Sequence, residues 1–361
     1  MDFMIYSTER CNLNCDYCET AETRNKFEPN PAYNIEQLNA FLKDVPDLNL
    51  HFYGGEPLLN IIFIKDVLKI PHKRATMQTN GLLLDKLDTG TLNKFEVISV
   101  SIDGPEEVTD KHRGKGIYRK VIEKTKNLKQ KGFSGLLNVR MTISPGVDIE
   151  SSVMHFINGC ETKFDNIHWQ LNVLFHEKDW KQNKEEIKRW FKESYNPKIT
   201  KLIKFWLKEM VNNNQVIQII PFIGIMHSLL TGAEVKNVRC GAGWAMWVIT
   251  TSGDIYPCPV MRNYPEFKRG NINSISYSEI KPACTLENCN KCEAFNLCGG
   301  RCLCVNKKNE WDSEGYDLVC DSVKHLIKTL RKARPIVNEL ISKGKISLED
   351  FRANQDYEVI P

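Results

Sequence analysis

Short runs of apolar and β-branched residues, each followed by a stretch with helical apolar spacing, dominate the first two thirds of this chain. The pattern predicts strands near 2–7, 49–53, 74–79, 96–102, 136–143 and 166–174. It predicts helices near 34–44, 60–69, 84–93, 116–131, 150–158 and 184–212. Six βα units in succession imply a parallel sheet with helices packed outside it, so the expected class is α/β. Residues 1–215 suit a partial or full βα barrel, with a doubly wound open sheet as the alternative. The segment His176–Gln215, rich in Lys, Glu and Trp, reads as a solvated amphipathic helix closing the barrel. Residues 216–239 bridge to a region, 240–320, where periodicity gives way to turn residues. Asp321–Lys343 reads as helical with a break at Pro335, and Ile346–Pro361 as a final helix or a loose tail, so 321–361 forms a C-terminal helical segment.

Composition narrows the function classes. Lys+Arg 49 against Asp+Glu 45, with the basic residues scattered, gives nucleic-acid binding no support. There is no apolar stretch long enough for a membrane span, and the first residues have neither the basic nor the apolar region of a signal peptide, so a cytoplasmic location is expected. In such a reducing compartment the 13 cysteines point to metal or cluster ligation rather than disulfides. Nine of them fall between Cys240 and Cys320, in a module whose stability cannot rest on a hydrophobic core alone.

Cys11, Cys15 and Cys18 follow the first strand at C-x3-C-x2-C spacing, at the end of a parallel barrel where ligands bind. A structural zinc wants four ligands, and no further Cys or His lies near in sequence. Three thiolates suit a [4Fe–4S] cluster with one iron left open. With Tyr17 before the last cysteine, the spacing resembles that of the radical S-adenosylmethionine (SAM) superfamily. The resemblance implies that the open iron chelates SAM, which is reductively cleaved to a 5′-deoxyadenosyl radical that abstracts hydrogen. Later strand ends extend it. Tyr53-Gly54-Gly55-Glu56-Pro57 resembles the GGEP motif, implying that Gly54 and Gly55 let the backbone approach the methionyl amine and that Glu56 helps neutralise it. Gln78-Thr-Asn-Gly81 ends the third strand, and Ser101-Ile-Asp-Gly104 ends the fourth, followed by His112-Arg113-Gly114. By resemblance Ser101 contacts the ribose, Arg113 the SAM carboxylate and Leu171 the adenine.

In the C-terminal region Thr251-Ser-Gly-Asp254 reads as a hairpin turn with Gly253 at positive φ. Cys240, Cys258, then Cys289, Cys292, Cys298, Cys302 and Cys320 allow a zinc ribbon. Beside the first cysteine set they resemble the SPASM domain, which carries two auxiliary [4Fe–4S] clusters. The resemblance implies Cys289, Cys292, Cys298 and Cys320 for the distal cluster and Cys240, Cys258 and Cys302 for the near one. A further near-cluster cysteine is missing from Gly241–Trp247, leaving an open iron or closure by Cys284 or Cys304. Cys160 reads as a buried structural thiol. The implied architecture is a partial (β/α)6 TIM-like barrel, a cysteine-rich SPASM domain and terminal helices.

SPASM enzymes modify peptides and proteins. In the anaerobic sulfatase-maturating group an Asp follows the cysteine matching Cys258 and serves as base; here that position is Pro259, and Asp254 is the substitute at hand. The expected enzyme is therefore a radical SAM maturase of a ribosomally made peptide, forming a thioether or carbon–carbon crosslink or epimerising a residue. The alternatives are a sulfatase-type protein oxidase and a noncatalytic electron carrier. The resemblance also implies flavodoxin or ferredoxin as electron donor and activity only without oxygen. With strand one beginning at Asp2, leader recognition is expected from a separate protein, the C-terminal helical segment or the barrel rim.

Overall fold

The computed structural model describes residues 1–18, 24–172, 177–283, 289–308, 311–352 and 359–361. Six strands lie where the apolar runs predict them: β1 (Asp2–Thr8), β2 (Asn49–Gly54), β3 (Arg74–Thr79), β4 (Val97–Ser101), β5 (Leu136–Ile143) and β6 (Asn166–Leu171). Three short ones follow, β7 (Met246–Ile249), β8 (Asp254–Tyr256) and β9 (Gly270–Asn271). The chain divides into two compact units.

The first unit comprises Met1–Arg140, Cys160–Phe164 and Gly241–Cys284. Its helices are α1 (Ile35–Leu42), α2 (Ile61–Val67), α3 (Thr89–Leu92), α4 (Glu106–Arg113) and α5 (Ile117–Gln130). The strand order is β5–β4–β3–β2–β1–β7–β8–β9. Strands β1 to β5 and β7 are parallel, β8 pairs antiparallel with β7, and β9 pairs antiparallel with β8. A parallel strand covered on both faces has no polar side, and every residue of β4 is buried. Phe3 pairs with Leu50 and Ile5 with Phe52, which puts all four side chains in the core. Each such burial contributes about 1.5–3 kcal/mol. On its other edge β1 pairs with β7, Phe3 with Trp247 and Ile5 with Ile249. The β7–β8 turn has Gly253 at φ 79°, as its sequence predicts.

The second unit comprises Met141–Gly159, Asp165–Cys240 and Thr285–Pro361. The last residues of β5 lie there beside β6, where the Asn172 N–H donates to Ile143 O at 2.9 Å. Its helices are α6 (Ile149–Met154), α7 (Glu177–Trp190), α8 (Asn196–Asn213), α9 (Ile220–Thr231), α10 (Phe295–Cys298), α11 (Leu303–Lys308) and α12 (Ser313–Ser342). The single helix expected over 184–212 is two, joined by a π turn at Phe191–Tyr195. Pro197 has no N–H for the Glu193 carbonyl, and the wider turn carries the helix past that gap. The break expected at Pro335 is absent, since α12 runs through it. A mid-helix proline costs about 3 kcal/mol, and burial of Leu330, Ala333, Val337 and Leu340 on either side offsets it. Among the described residues no helix is long and apolar enough to cross a membrane.

Candidate functional site

Cys11, Cys15 and Cys18 follow β1 in the first unit, all half-buried. The end of β2 is laced to the backbone just before them. The Gly55 N–H donates to Thr8 O (2.9 Å) and the Glu56 N–H to Arg10 O (2.8 Å). A Cβ at Gly54, where φ is 142°, would lie 2.2 Å from Thr8 O, and one at Gly55 would lie 2.3 Å from Arg10 O. Sequence reading ties these glycines to cofactor approach; the structure adds a need inside the protein, since only glycine lets β2 close on the cysteine loop. Gly55→Ala is accordingly expected to lose at least ~2 kcal/mol in urea unfolding and to lower iron content, because backbone rather than a mobile side chain must give way.

Glu56 is completely buried. Its Oε1 accepts from the Leu58 N–H (3.0 Å) and the Thr79 hydroxyl (2.7 Å), and its Oε2 from the Asn80 N–H (2.7 Å). Burial outweighs these three bonds and pushes its pKa up to about 7. A folded-state pKa above the ordinary 4.5 means that the folded chain retains a proton the unfolded chain releases. Stability of the cofactor-free protein should thus be greatest below about pH 4.5 as far as this group is concerned, fall as pH rises to about 7, and level off above. Urea unfolding across that window should show the decline in wild type and a shallower one in Glu56→Gln.

A second buried network ties the loop to β4 and α4. The Tyr17 hydroxyl donates to Asp103 Oδ2 (2.6 Å). Arg113 grips the same carboxylate with two bonds, Nε to Oδ2 (2.8 Å) and Nη2 to Oδ1 (2.9 Å), and its guanidinium lies 5.6 Å from the Tyr17 ring centroid. His112 Nδ1 lies 2.9 Å from Asp16 Oδ2, and its backbone carbonyl accepts from the Asp16 N–H. Arg113, expected to face the SAM carboxylate, thus has a protein carboxylate as its bidentate partner. Ser101 is buried at the end of β4. Asn80 donates to Asn12 Oδ1 (2.7 Å) and approaches Cys11 Sγ (3.9 Å). Tyr17→Phe removes one donor and should cost about 1 kcal/mol in thermal or urea unfolding.

Burial pushes the Cys15 thiol up to about 11; Arg113 pulls it down, and Cys18, Asp103 and Cys11 push it up. Cys15 therefore lies within electrostatic reach of both Cys11 and Cys18, and a positively charged metal centre would relieve its crowding as a thiolate. No three Cys, His, Asp or Glu among the described residues converge closely enough to hold a single metal ion. A lone zinc demands such convergence, whereas an iron–sulfur cluster spreads its thiolates over several metal atoms. Three thiols of one loop are the donor set that such a cluster with one open iron takes.

In the second unit Cys289, Cys292, Cys298 and Cys320 line one cavity. Cys302, which the resemblance assigns to the other set, lines it too. Cys289 Sγ lies 3.2 Å from both Asn306 Oδ1 and the Tyr316 hydroxyl. Burial pushes Cys320 up to about 12, with Cys298 and Cys289 adding to it. Cys240 follows Arg239, whose guanidinium donates to Leu297 O, Gly224 O and Ser228 Oγ. Cys304 is buried in α11, and Leu171 is buried at the end of β6. Cys258 lies in the first unit after β8, and Cys284 lies outside the described residues. Cys160, expected to be buried, is half-buried in the first unit, 3.9 Å from the Tyr118 hydroxyl.

Near Cys258 the Asp254 carboxylate is held by Lys268 (2.6 Å) and Asn271 Nδ2 (2.7 Å). Sequence reading missed the fully buried Arg262, which donates to Glu9 Oε1 at 2.5 Å and stacks on Tyr6 and Phe27 at 4.5 and 4.3 Å. Pairs this distant in sequence leave no local signal.

Residues 5–157 match the Radical SAM superfamily model. The chain is 26% identical to a cysteine-type anaerobic sulfatase-maturating enzyme of Clostridium perfringens, over 88% of this chain and 92% of that one. It is 23% identical to the antilisterial bacteriocin subtilosin biosynthesis protein AlbA of Bacillus subtilis, over 76% of this chain and 57% of AlbA. Native anSMEcpe with bound AdoMet and the Cp18Cys peptide shares the fold at TM-score 0.70 and 21% identity, over 94% of this chain and 99% of that one.

Proposed function

From the radical SAM domain that this enzyme carries, we propose a maturase that abstracts hydrogen from a ribosomally made peptide to form a thioether or carbon–carbon crosslink or to epimerise a residue. Cys11, Cys15 and Cys18 would hold the SAM-cleaving cluster, and Cys289, Cys292, Cys298 and Cys320 an auxiliary one. Bound there, cluster and SAM supply a 5′-deoxyadenosyl radical when an electron arrives from a flavodoxin or ferredoxin. The protein's part is to hold and shield. Gly54 and Gly55 fix β2 against the cysteine loop, Glu56 offers a buried carboxylate to an ammonium, and the Tyr17–Asp103–Arg113 network braces the loop from the side.

Peptide chemistry is supported by the relatives: AlbA serves bacteriocin biosynthesis, and anSMEcpe was solved with a peptide. The observation that carries the choice among peptide reactions lies beside Cys258. Pro259 offers no proton acceptor, and the Asp254 carboxylate is committed to Lys268 and Asn271. Formylglycine formation would lack its base there, although the similarity to sulfatase-maturating enzymes keeps it the rival. Each short peptide encoded beside the gene should be co-expressed anaerobically with the enzyme and weighed, with Cys15→Ala as control. Loss of two hydrogens with a crosslink on fragmentation, or deuterium uptake from solvent without mass loss, is expected. A formylglycine product, or no change in any peptide, would overturn the proposal.

A further inference from the structure

Helix α12 carries a basic strip that begins at a cysteine. Ser322–Asn338 holds five Lys and Arg and no Asp or Glu, in a chain whose totals are 49 and 45. At 3.6 residues per turn, Cys320, Lys324, Lys328 and Arg331 fall at i, i+4, i+8 and i+11, on one side of the helix. Lys324 is thus about 6 Å of helix rise from Cys320, and Arg331 lies about three turns beyond that cysteine.

The surroundings follow this order. Lys324 lines the cavity that holds Cys289, Cys292, Cys298 and Cys320, and it lines a surface groove together with Lys328 and Arg331. Cys292 and Cys320 are half-buried, the Lys324 side chain is 42% exposed, and Lys328 and Arg331 are exposed. Burial pulls the Lys324 ammonium down, but Asp321, Cys292 and Cys320 outweigh it and hold the group above its usual range. Its charge therefore lies within electrostatic reach of two of the sulfurs. Glu293 and Asp321 also line the groove, with Asp321 3.6 Å from the Lys324 ammonium. Lys328 and Arg331 have no ion-pair partner among the described residues.

We propose that an acidic one-electron carrier protein docks on Lys324, Lys328 and Arg331 and exchanges electrons with the auxiliary cluster beside them, an inference that rests on reading Cys289, Cys292, Cys298 and Cys320 as its ligands. Charge alone would suit any acidic partner. What selects a carrier is where the strip begins. Four thiolates close all four irons of a [4Fe–4S] cluster, so none is open to a substrate atom and electron passage is the use left to it. Electron transfer falls off steeply with distance, which requires the carrier to sit over the ligands. Redox complexes bury little area and depend on charge steering for encounter. One electron leaves the carrier's flavin or iron–sulfur centre and enters the cluster, whose charge falls by one; no bond forms or breaks.

The test uses the full-length, cluster-loaded protein without SAM, in the Cys15→Ala background so that iron at the second cysteine set is read. Protein reduced with dithionite and freed of excess reductant is mixed anaerobically with an oxidised acidic flavodoxin, and the flavin absorbance gives the second-order rate constant. That constant should fall with salt, and Lys328→Glu combined with Arg331→Glu, neither of which lines the cysteine cavity, should lower it about tenfold or more at low salt. Anisotropy of labelled flavodoxin should show weaker binding by the same variant, and oxidation by a small neutral quinone should be unchanged. An undiminished flavodoxin rate with iron retained overturns the proposal, as does equal slowing with the quinone, which would place the effect in the cluster itself. Loss of binding of a labelled Glu-rich peptide beside an unchanged flavodoxin rate would give the face to a peptide and overturns it too. Absence of iron at the second set in the parent protein overturns the ligand reading itself, so the two failures are told apart by iron analysis.

Discussion

Cys15→Ala should abolish release of 5′-deoxyadenosine from SAM under strong reductant, a loss of at least ~10³-fold relative to wild type. The middle cysteine of the three sits in a loop braced on two sides, by the β2 glycines and by Tyr17. Two thiols cannot replace three as anchors of a cluster with one open iron. The loss should therefore appear first as missing iron and sulfide, by an amount matching one cluster, with the remainder retained at the second cysteine set. Chromatography of the nucleoside and iron analysis check this together. Undiminished nucleoside release would remove the loop from the reaction, and loss of all iron would indicate a folding defect instead.

Removing Asp103 should have the largest effect on stability, about 3–5 kcal/mol for Asp103→Ala, because the buried Arg113 guanidinium then loses both charge-assisted bonds. Tyr17 loses its acceptor at the same time. The paired substitution Asp103→Leu with Arg113→Met leaves no orphaned charge and should recover much of the loss. Urea unfolding of the single and double variants measures the coupling. If both were equally unstable, packing rather than the ion pair would account for the effect.

Strand β4 announces itself as an apolar run because it is buried on both sides, whereas β2 and β3, alternately buried and half-buried, are legible by their period of two. Helix α4 escapes that reading: its sequence Glu-Glu-Val-Thr-Asp-Lys-His-Arg buries Thr109, His112 and Arg113, so no apolar period marks it. Helix α9 escapes for the opposite reason, being apolar nearly all round and without an amphipathic signature. The cysteine loop and its glycines are legible because their spacing and conformational demands are local. The partnership of Arg113 with Asp103 is not, although both lie in stretches that drew attention, since a sequence shows that a cation is present and not which anion it faces. Arg262 and Glu9, 253 positions apart, meet only once the sheet exists.

The pairing of β7 with β1 also bears on how the chain is made. Strand β1 emerges from the ribosome long before one of its two neighbours, which follows roughly 240 residues later, some ten to fifty seconds at ordinary synthesis rates. Until then a hydrophobic strand that ends beside three thiols has an unpaired edge, which invites association with other nascent chains. Chaperone cover during synthesis and cluster insertion after release are the order that such a sheet favours. A chain cut before Gly241 would keep that edge permanently and should collect in inclusion bodies rather than yield a barrel ready for iron.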